Sequence, residues 1–351
     1  MSPQFVDFNA DGKTDIVAGI FDGSPHLARG SDKGFEQPTS ILDREGSRIV
    51  LNAFWDFDAK KWNSTKRCDP LGHSGDQEGL LTSAVAMDLD GDGDLDLLLG
   101  DHESGRIWIR RNEGKAGEPL FATRNEALLV NGKPTDVPGE VATLRPVDWN
   151  GDGLTDLAVS SMGESVLSSS MGESSASGVG GGVYLFLNCG TAKEARFGPM
   201  QTILAASPKG ATESTRPDVG LYMDFADVDG DGDLDMAVGG YSLWTPPART
   251  LDSAEEALLA TLKKEMEANS IDRAKLDAGM EKAKEGLSGA AEDAKQLEFF
   301  EAHRTDYARV AKERARILEA MDKLVPGQQR KSAVWLYEQR TPSRKSTPPN
   351  P

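Results

Sequence analysis

Cysteine is scarce: Cys68 and Cys189 are the only two in 351 residues. Two thiols so far apart make no disulfide framework, and with no C-x-x-C spacing they point to neither structural zinc nor a redox motif; whether they pair is open. Histidine is equally sparse. His26, His73, His102 and His303 stand alone in the sequence; only His73 and His102, with Asp76 and Asp101 close by, could meet as acid–base partners. There is no G-x-S-x-G, no Walker loop, no G-x-G-x-x-G after a strand and no H-E-x-x-H, so hydrolase, nucleotide and metalloprotease chemistry lack their usual marks. No apolar run approaches the length needed to span a bilayer. Positive charge is in deficit, with 39 Lys and Arg against 57 Asp and Glu for a net −18, which argues against nucleic acid as a partner. The one basic cluster, 340–345, sits in a Pro/Ser/Thr-rich end and reads as a solvated terminus.

The acid is concentrated instead in four copies of one loop, D-x-[DN]-x-D-G-x-x-D, starting at residues 7, 88, 148 and 227. Positions 1, 3, 5, 7 and 9 are Asp7, Asn9, Asp11, Lys13 and Asp15; Asp88, Asp90, Asp92, Asp94 and Asp96; Asp148, Asn150, Asp152, Leu154 and Asp156; and Asp227, Asp229, Asp231, Asp233 and Asp235. Side-chain oxygens at 1, 3, 5 and 9, with a main-chain carbonyl at 7, form a hard donor set suited to Ca²⁺. Three or more carboxylates in nine residues repel one another without a cation, so about four ions, one per loop, are expected. They would leave the chain near −10.

An EF-hand would place a bidentate Glu at position 12 and then enter a helix, but position 12 here is Ala18, Leu99, Val159 and Val238. Each loop runs into a short apolar segment, 16–19, 97–100, 157–160 and 236–239, closed by Gly or Ser. Such runs read as buried strands. Apolar residues also precede each loop, so the loop joins two strands. A later strand follows at 25–30, 106–110, 182–187 and 333–338, and outer strands are expected at 39–41, 127–130 and 201–204. Strand, acidic loop, strand, turn, strand, turn, strand makes one antiparallel blade. The expected fold is therefore all-β, a β-propeller of four-stranded antiparallel blades. The loop starts are spaced 81, 60 and 79 residues apart, giving about sixty per blade plus insertions. Residues 53–80, with Trp55 and Trp62, read as a long loop or as a blade that has lost its metal loop.

These loops, with the apolar strand after them and the Tyr184-containing strand beyond, resemble FG-GAP/VCBS repeats, the calcium-loop blades of integrin α-subunit heads and of many secreted bacterial proteins. The resemblance covers residues 4–250 and 331–340. The stretch 239–248 adds a likeness to FG-GAP proteins of planctomycete-type bacteria. The family implies a calcium-bound propeller in an adhesion protein, a lectin-like binder or a propeller attached to an enzyme.

The last blade is interrupted. Residues 1–250 read as propeller blades, 251–327 as an antiparallel helical hairpin inserted in the last blade, 328–340 as that blade's closing strand and 341–351 as a disordered tail. In the hairpin, Ser253 is the expected N-cap with Glu256 at N3. Leu259, Leu262 and Met266 start one apolar stripe, and Tyr307, Val310, Ile317 and Met321 continue a near-heptad seam on the return arm. A turn is expected at 286–289 and a break near 269–272. The hairpin, the Ser/Gly-rich stretch 161–182 and the connection 53–80 all fall on the end of the blades away from the acidic loops. That end is the expected partner-binding surface, where Trp55, Trp62, Tyr241 and Trp244 either anchor a ligand or simply pack; Trp108, Trp149 and Trp335 are assigned to packing. The functional expectation is a non-catalytic extracellular module that binds a protein or glycan, with a calcium-dependent polysaccharide lyase or hydrolase as the alternative. Millimolar calcium outside cells matches the affinity of such modules. A secretory, periplasmic or cell-surface location is expected, with a leader and part of a blade upstream of residue 1.

Overall fold

The computed structural model describes residues 3–65, 67, 79–162, 180–207, 212–287 and 289–339. Cys68, His73, Asp76, most of the Ser/Gly-rich stretch and the tail 341–351 lie outside them.

The described residues are mostly β, in antiparallel sheets, with three helices among them. The order opens with β1 (Gln4–Val6), β2 (Asp15–Gly19) and β3 (Pro25–Ala28), a small hairpin of β4 (Gly30–Ser31) and β5 (Gly34–Phe35), and then β6 (Thr39–Ser40). The first sheet has the order β1-β2-β3-β6. A second hairpin, β7 (Ala53–Asp56) with β8 (Lys61–Ser64), occupies part of the connection that follows. The second sheet joins β9 (Leu81–Met87), β10 (Asp96–Asp101), β11 (Ile107–Arg110) and β12 (Glu126–Ala127) in sequence order. The expected outer strand 127–130 divides here: β13 (Leu129–Val130) leaves the sheet to pair with β14 (Lys133–Pro134). The third sheet is β15 (Glu140–Val147), β16 (Asp156–Met162), β17 (Val183–Phe186) and β18 (Gln201–Leu204). β19 (Val219–Ala226) and β20 (Asp235–Trp244) begin the fourth.

Between β20 and the last strand come α1 (Ser253–Lys284), α2 (Ala290–Ala302) and α3 (Arg304–Asp322), then β21 (Gln329–Tyr337). The insertion thus falls between the second and third strands of the fourth sheet. Among the described residues that sheet has three strands, β19-β20-β21, rather than the four expected.

The sheets stack face to face, and that explains the unbroken apolar runs. Leu97, Leu98 and Leu99 are all fully buried because alternate side chains of β10 enter different cores. Leu97 and Leu99 join Val17, Leu27 and Trp108 between the first two sheets, whereas Leu98 joins Ile107, Leu144, Val159 and Phe186 between the second and third. A strand covered on both faces has no polar side to show. A third core, with Ala158, Leu185, Met223 and Val238, joins the third sheet to the fourth.

The insertion corrects several expectations. The N-cap is Asp252, not Ser253: its carboxylate accepts from the Ala254 and Glu255 amides at 2.9 Å, and Glu255 returns a bond to the Asp252 amide at 3.0 Å. A carboxylate cap is favoured by the helix dipole, and Arg249 grips Glu255 from outside the helix. The expected break at 269–272 is absent because Asn269 is buried and donates to the Val310 carbonyl at 3.0 Å, tying α1 to α3. The return arm is interrupted instead, at His303, whose ring stacks 4.0 Å from that of Phe299. Leu262, Ile317 and Leu324 form the small core of this unit. Trp108 packs as expected, but Trp335 does not: it lies on the outermost described strand of its sheet and is substantially exposed.

Candidate metal centres in the four acidic loops

Each loop joins the first strand of its sheet to the second, so the strand pairing fixes both of its ends. Val6 pairs with Asp15, Met87 with Asp96, Val147 with Asp156 and Ala226 with Asp235. The loop must therefore reverse within eight residues. The glycine at position 6 makes that possible, with φ of +84°, +90°, +85° and +94° in Gly12, Gly93, Gly153 and Gly232. An added Cβ would touch nothing within 4 Å at any of the four, so the requirement is conformational.

The side chains then fold inward on the main chain. The position-1 carboxylate accepts the glycine amide in every loop: Gly12 to Asp7 at 2.9 Å, Gly93 to Asp88 at 3.2 Å, Gly153 to Asp148 at 3.0 Å and Gly232 to Asp227 at 3.2 Å. Position 5 accepts the position-7 amide: Lys13 to Asp11, Asp94 to Asp92, Leu154 to Asp152 and Asp233 to Asp231, all within 2.8–3.1 Å. These bonds aim the carboxylates at a common centre. In the second loop Asp88, Asp90 and Asp92 each bring an oxygen within 4.8 Å of the others, and in the fourth Asp227, Asp229 and Asp235 do so. The first and third loops are less charged, since Asn9 and Asn150 hold position 3 and donate their amides to Asp11 at 3.1 Å and Asp152 at 2.9 Å.

Position 9 has a second task that the motif alone does not reveal. Asp15, Asp96, Asp156 and Asp235 are almost wholly buried. One oxygen accepts the amide of the residue just beyond the third strand or close to its end: Gly30 to Asp15 at 2.7 Å, Asn112 to Asp96 at 2.7 Å, Asn188 to Asp156 at 2.7 Å and Gln339 to Asp235 at 3.0 Å. In three loops the other oxygen takes the position-2 amide, from Phe8, Trp149 and Val228; in the second loop the Arg111 guanidinium takes that place. Asn112 and Asn188 return the link by donating to the position-8 carbonyls of Leu95 and Thr155. The Asn-x-Gly turns after β11 and β17 were the sequence trace of this clamp.

The electrostatics favour a cation most clearly in the second loop. Asp94 is buried, its Oδ2 accepts no hydrogen bond, and burial together with Asp92, Asp96 and Asp90 pushes its carboxyl up to about 6. Burial also raises Asp96 and Asp156 above the usual carboxylate range. An all-oxygen, net-negative set whose carboxylates converge within 4.8 Å is one that a hard divalent ion would fit. Asp88, Asp90, Asp92 and Asp96, and their counterparts in the other loops, are the residues that could hold it.

The opposite end of the sheets carries an aromatic cluster, of which Phe21, Phe57 and Trp62 are exposed. Trp55 and Trp62 pair across β7 and β8 with ring centroids 5.8 Å apart, and Phe21 meets the edge of His102 at 5.8 Å. Arg48 lies over Phe54 and Phe57 and reaches Asp22 at 2.7 Å. Lys60, in the turn of this hairpin, pairs with Asp293 of α2 at 3.6 Å, so the hairpin and the helical insertion meet. The Asp101 carboxylate accepts from the Leu80 and Glu103 amides and from Ser104, which makes it a turn brace.

A family described as an FG-GAP-like repeat matches residues 88–159. That span begins at the second loop, runs through the second sheet and ends in β16 after the third loop. No curated protein matches the chain. Among solved structures, the Tc holotoxin pore of Photorhabdus luminescens is similar over 68% of this chain at 17% identity and a TM-score of 0.30. This chain spans only 8% of that one, and a likeness this weak does not bear on function.

Proposed function

We propose that the chain is a calcium-stabilised β-propeller segment that acts in extracellular binding or adhesion, without catalysis. The observation that carries the calcium reading is the convergence of carboxylates within 4.8 Å in the second and fourth loops, inside a loop frame that occurs four times. The propeller reading is supported by four successive antiparallel sheets stacked through apolar cores, with the FG-GAP-like match running from the second acidic loop into β16.

In this reading calcium neutralises the loops and makes one end of the sheets rigid, while the other end meets the partner. Phe21, Phe57 and Trp62 are exposed there beside Arg48, a combination suited to stacking on a sugar ring or anchoring an extracellular protein. The setting is secreted, periplasmic or cell-surface, where calcium is plentiful.

Calcium titration by calorimetry, beside a glycan and protein-ligand screen with and without chelator, tests both halves. Heat of binding from four loops and ligand capture lost on Trp62→Ala support the proposal. Absence of calcium binding at millimolar concentration refutes the first half. Turnover of a polysaccharide that survives mutation of the loop aspartates refutes the second.

A further inference from the structure

Among the described residues, the four stacked sheets leave one face uncovered at each end, and the internal repeat identifies what those faces lack. Counting from the position-9 aspartate, Val17, Leu98, Ala158 and Ala237 are equivalent. Their third-strand partners are Leu27, Ile109, Leu185 and Leu336, and two residues earlier come Pro25, Ile107, Val183 and Val334. In the first three sheets these side chains are buried against the next sheet; Ile107 and Val183 are 0% exposed and Leu185 is 2%. In the fourth, Val334 is 73% exposed and Leu336 47%. The face has the composition of an internal interface, but no sheet of the described residues lies upon it.

The first sheet has the reverse defect. Loop positions 10 and 12 are Leu97 and Leu99, Leu157 and Val159, and Met236 and Val238 in the later sheets, all at 0–1% exposure because the preceding sheet covers them. Their equivalents Ile16 and Ala18 are only half-buried, and Phe5, which pairs with Ile16, is 63% exposed beside Phe35. Among the described residues the chain therefore presents one uncovered forward face and one uncovered rearward face, and three internal interfaces already join faces of these two kinds.

We infer that the Val334–Leu336 face of β21 is a docking surface for a second copy of this chain, which presents Phe5, Ile16 and Ala18 of its first sheet. The contact is head-to-tail, so it repeats until a ring closes or a filament grows. Two copies joined at both ends carry twice the four sheets, within the four to eight blades typical of propeller rings. The inference rests on the observed stacking and needs no metal.

The test is the solution mass of the full chain by light scattering and sedimentation from low to high micromolar concentration. Wild type is expected at twice the chain mass or more, with Val334→Asp and Phe5→Asp each falling to the single-chain mass. An equimolar mixture of the two variants regains assembly, because one retains the β21 face and the other the β1 face. Leu336→Gln, a milder change, serves if Val334→Asp fails to give a folded circular-dichroism spectrum. A wild-type chain that stays at single-chain mass overturns the inference, as does closure of its own ends reported by a Phe5→Cys/Val334→Cys crosslink within one chain. Folded variants that fail to assemble when mixed overturn it too.

Discussion

Asp152 and Asp156 stand at positions 5 and 9 of the same loop, and their environments predict different losses of stability in the absence of calcium. The Asp156 carboxylate is buried and accepts the Asn188 amide at 2.7 Å and the Trp149 amide at 3.1 Å. Asp156→Ala leaves both amides without a partner, at roughly 1–3 kcal/mol each, so a loss of about 2–6 kcal/mol is expected with or without metal. Asp152 is exposed, and its bonds stay within the loop, to the Leu154 amide and the Asn150 side chain. Asp152→Ala should stay within about 0.5 kcal/mol of wild type in chelator. It should, however, forfeit the third loop's share of the calcium effect. With a dissociation constant of about 10⁻⁴ to 10⁻³ M, calcium at roughly 10 to 100 times that value adds about 1.4–2.7 kcal/mol per loop. Melting of both variants and wild type, in chelator and in excess calcium, reads these terms directly. If the two variants melt alike in chelator, the clamp argument fails. If Asp152→Ala keeps the full calcium shift, the ligand assignment fails.

Three further outcomes follow from single sites. In chelator, Asp94 binds its proton more tightly in the native state than in the unfolded chain, since burial and the neighbouring aspartates raise it to about 6. Its stabilising contribution is present below about pH 4 and is lost as pH rises through 6, with about 3 kcal/mol as the ceiling; the chelated melting midpoint should rise on acidification from pH 7 to 5, and Asp94→Asn should remove that rise. At α1, Asp252→Ala should cost about 1 kcal/mol and Ser253→Ala only a few tenths, read by local hydrogen exchange of the insertion; equal effects would return the cap to Ser253. Gly153→Ala should strain a residue at φ +85° by about 1 kcal/mol or more despite open space around it, and an unchanged melting midpoint would refute the conformational argument.

The strands beside the loops were legible because two signals agree there: an acidic turn of fixed length, and an apolar run too short for a helix. β10 and β16 follow the second and third loops as the spacing predicts. Elements remote from the loops were read less well because their pairing depends on neighbours. Leu129 and Val130 carry the apolar character of an outer strand, yet Asn131 and Gly132 both take positive φ, and the reversal draws them into a hairpin with Lys133 and Pro134. Trp335 looked like a packing residue by type. Its exposure follows its place on the outermost described strand of its sheet, which composition cannot report. Asn269 resembled a helix breaker until its amide found the Val310 carbonyl on α3.

The loop residues themselves were identifiable by number, but not their division of labour. Sequence spacing treats position 9 as one more oxygen donor, whereas in the fold it also joins the acidic loop to the end of the third strand. The two roles are coupled. Whatever fixes the position-9 carboxylate also fixes the Asn112 and Asn188 turns, which hold Leu95 and Thr155 of their loops in return. A cation captured at positions 1, 3 and 5 would therefore stiffen the third strand's exit as well as its own loop. That coupling makes a local prediction: calcium should slow exchange of the Asn112 and Asn188 amides, and Asp90→Ala should abolish the slowing at Asn112 while sparing Asn188. Equal protection of both amides in that variant would show that the four loops do not act separately.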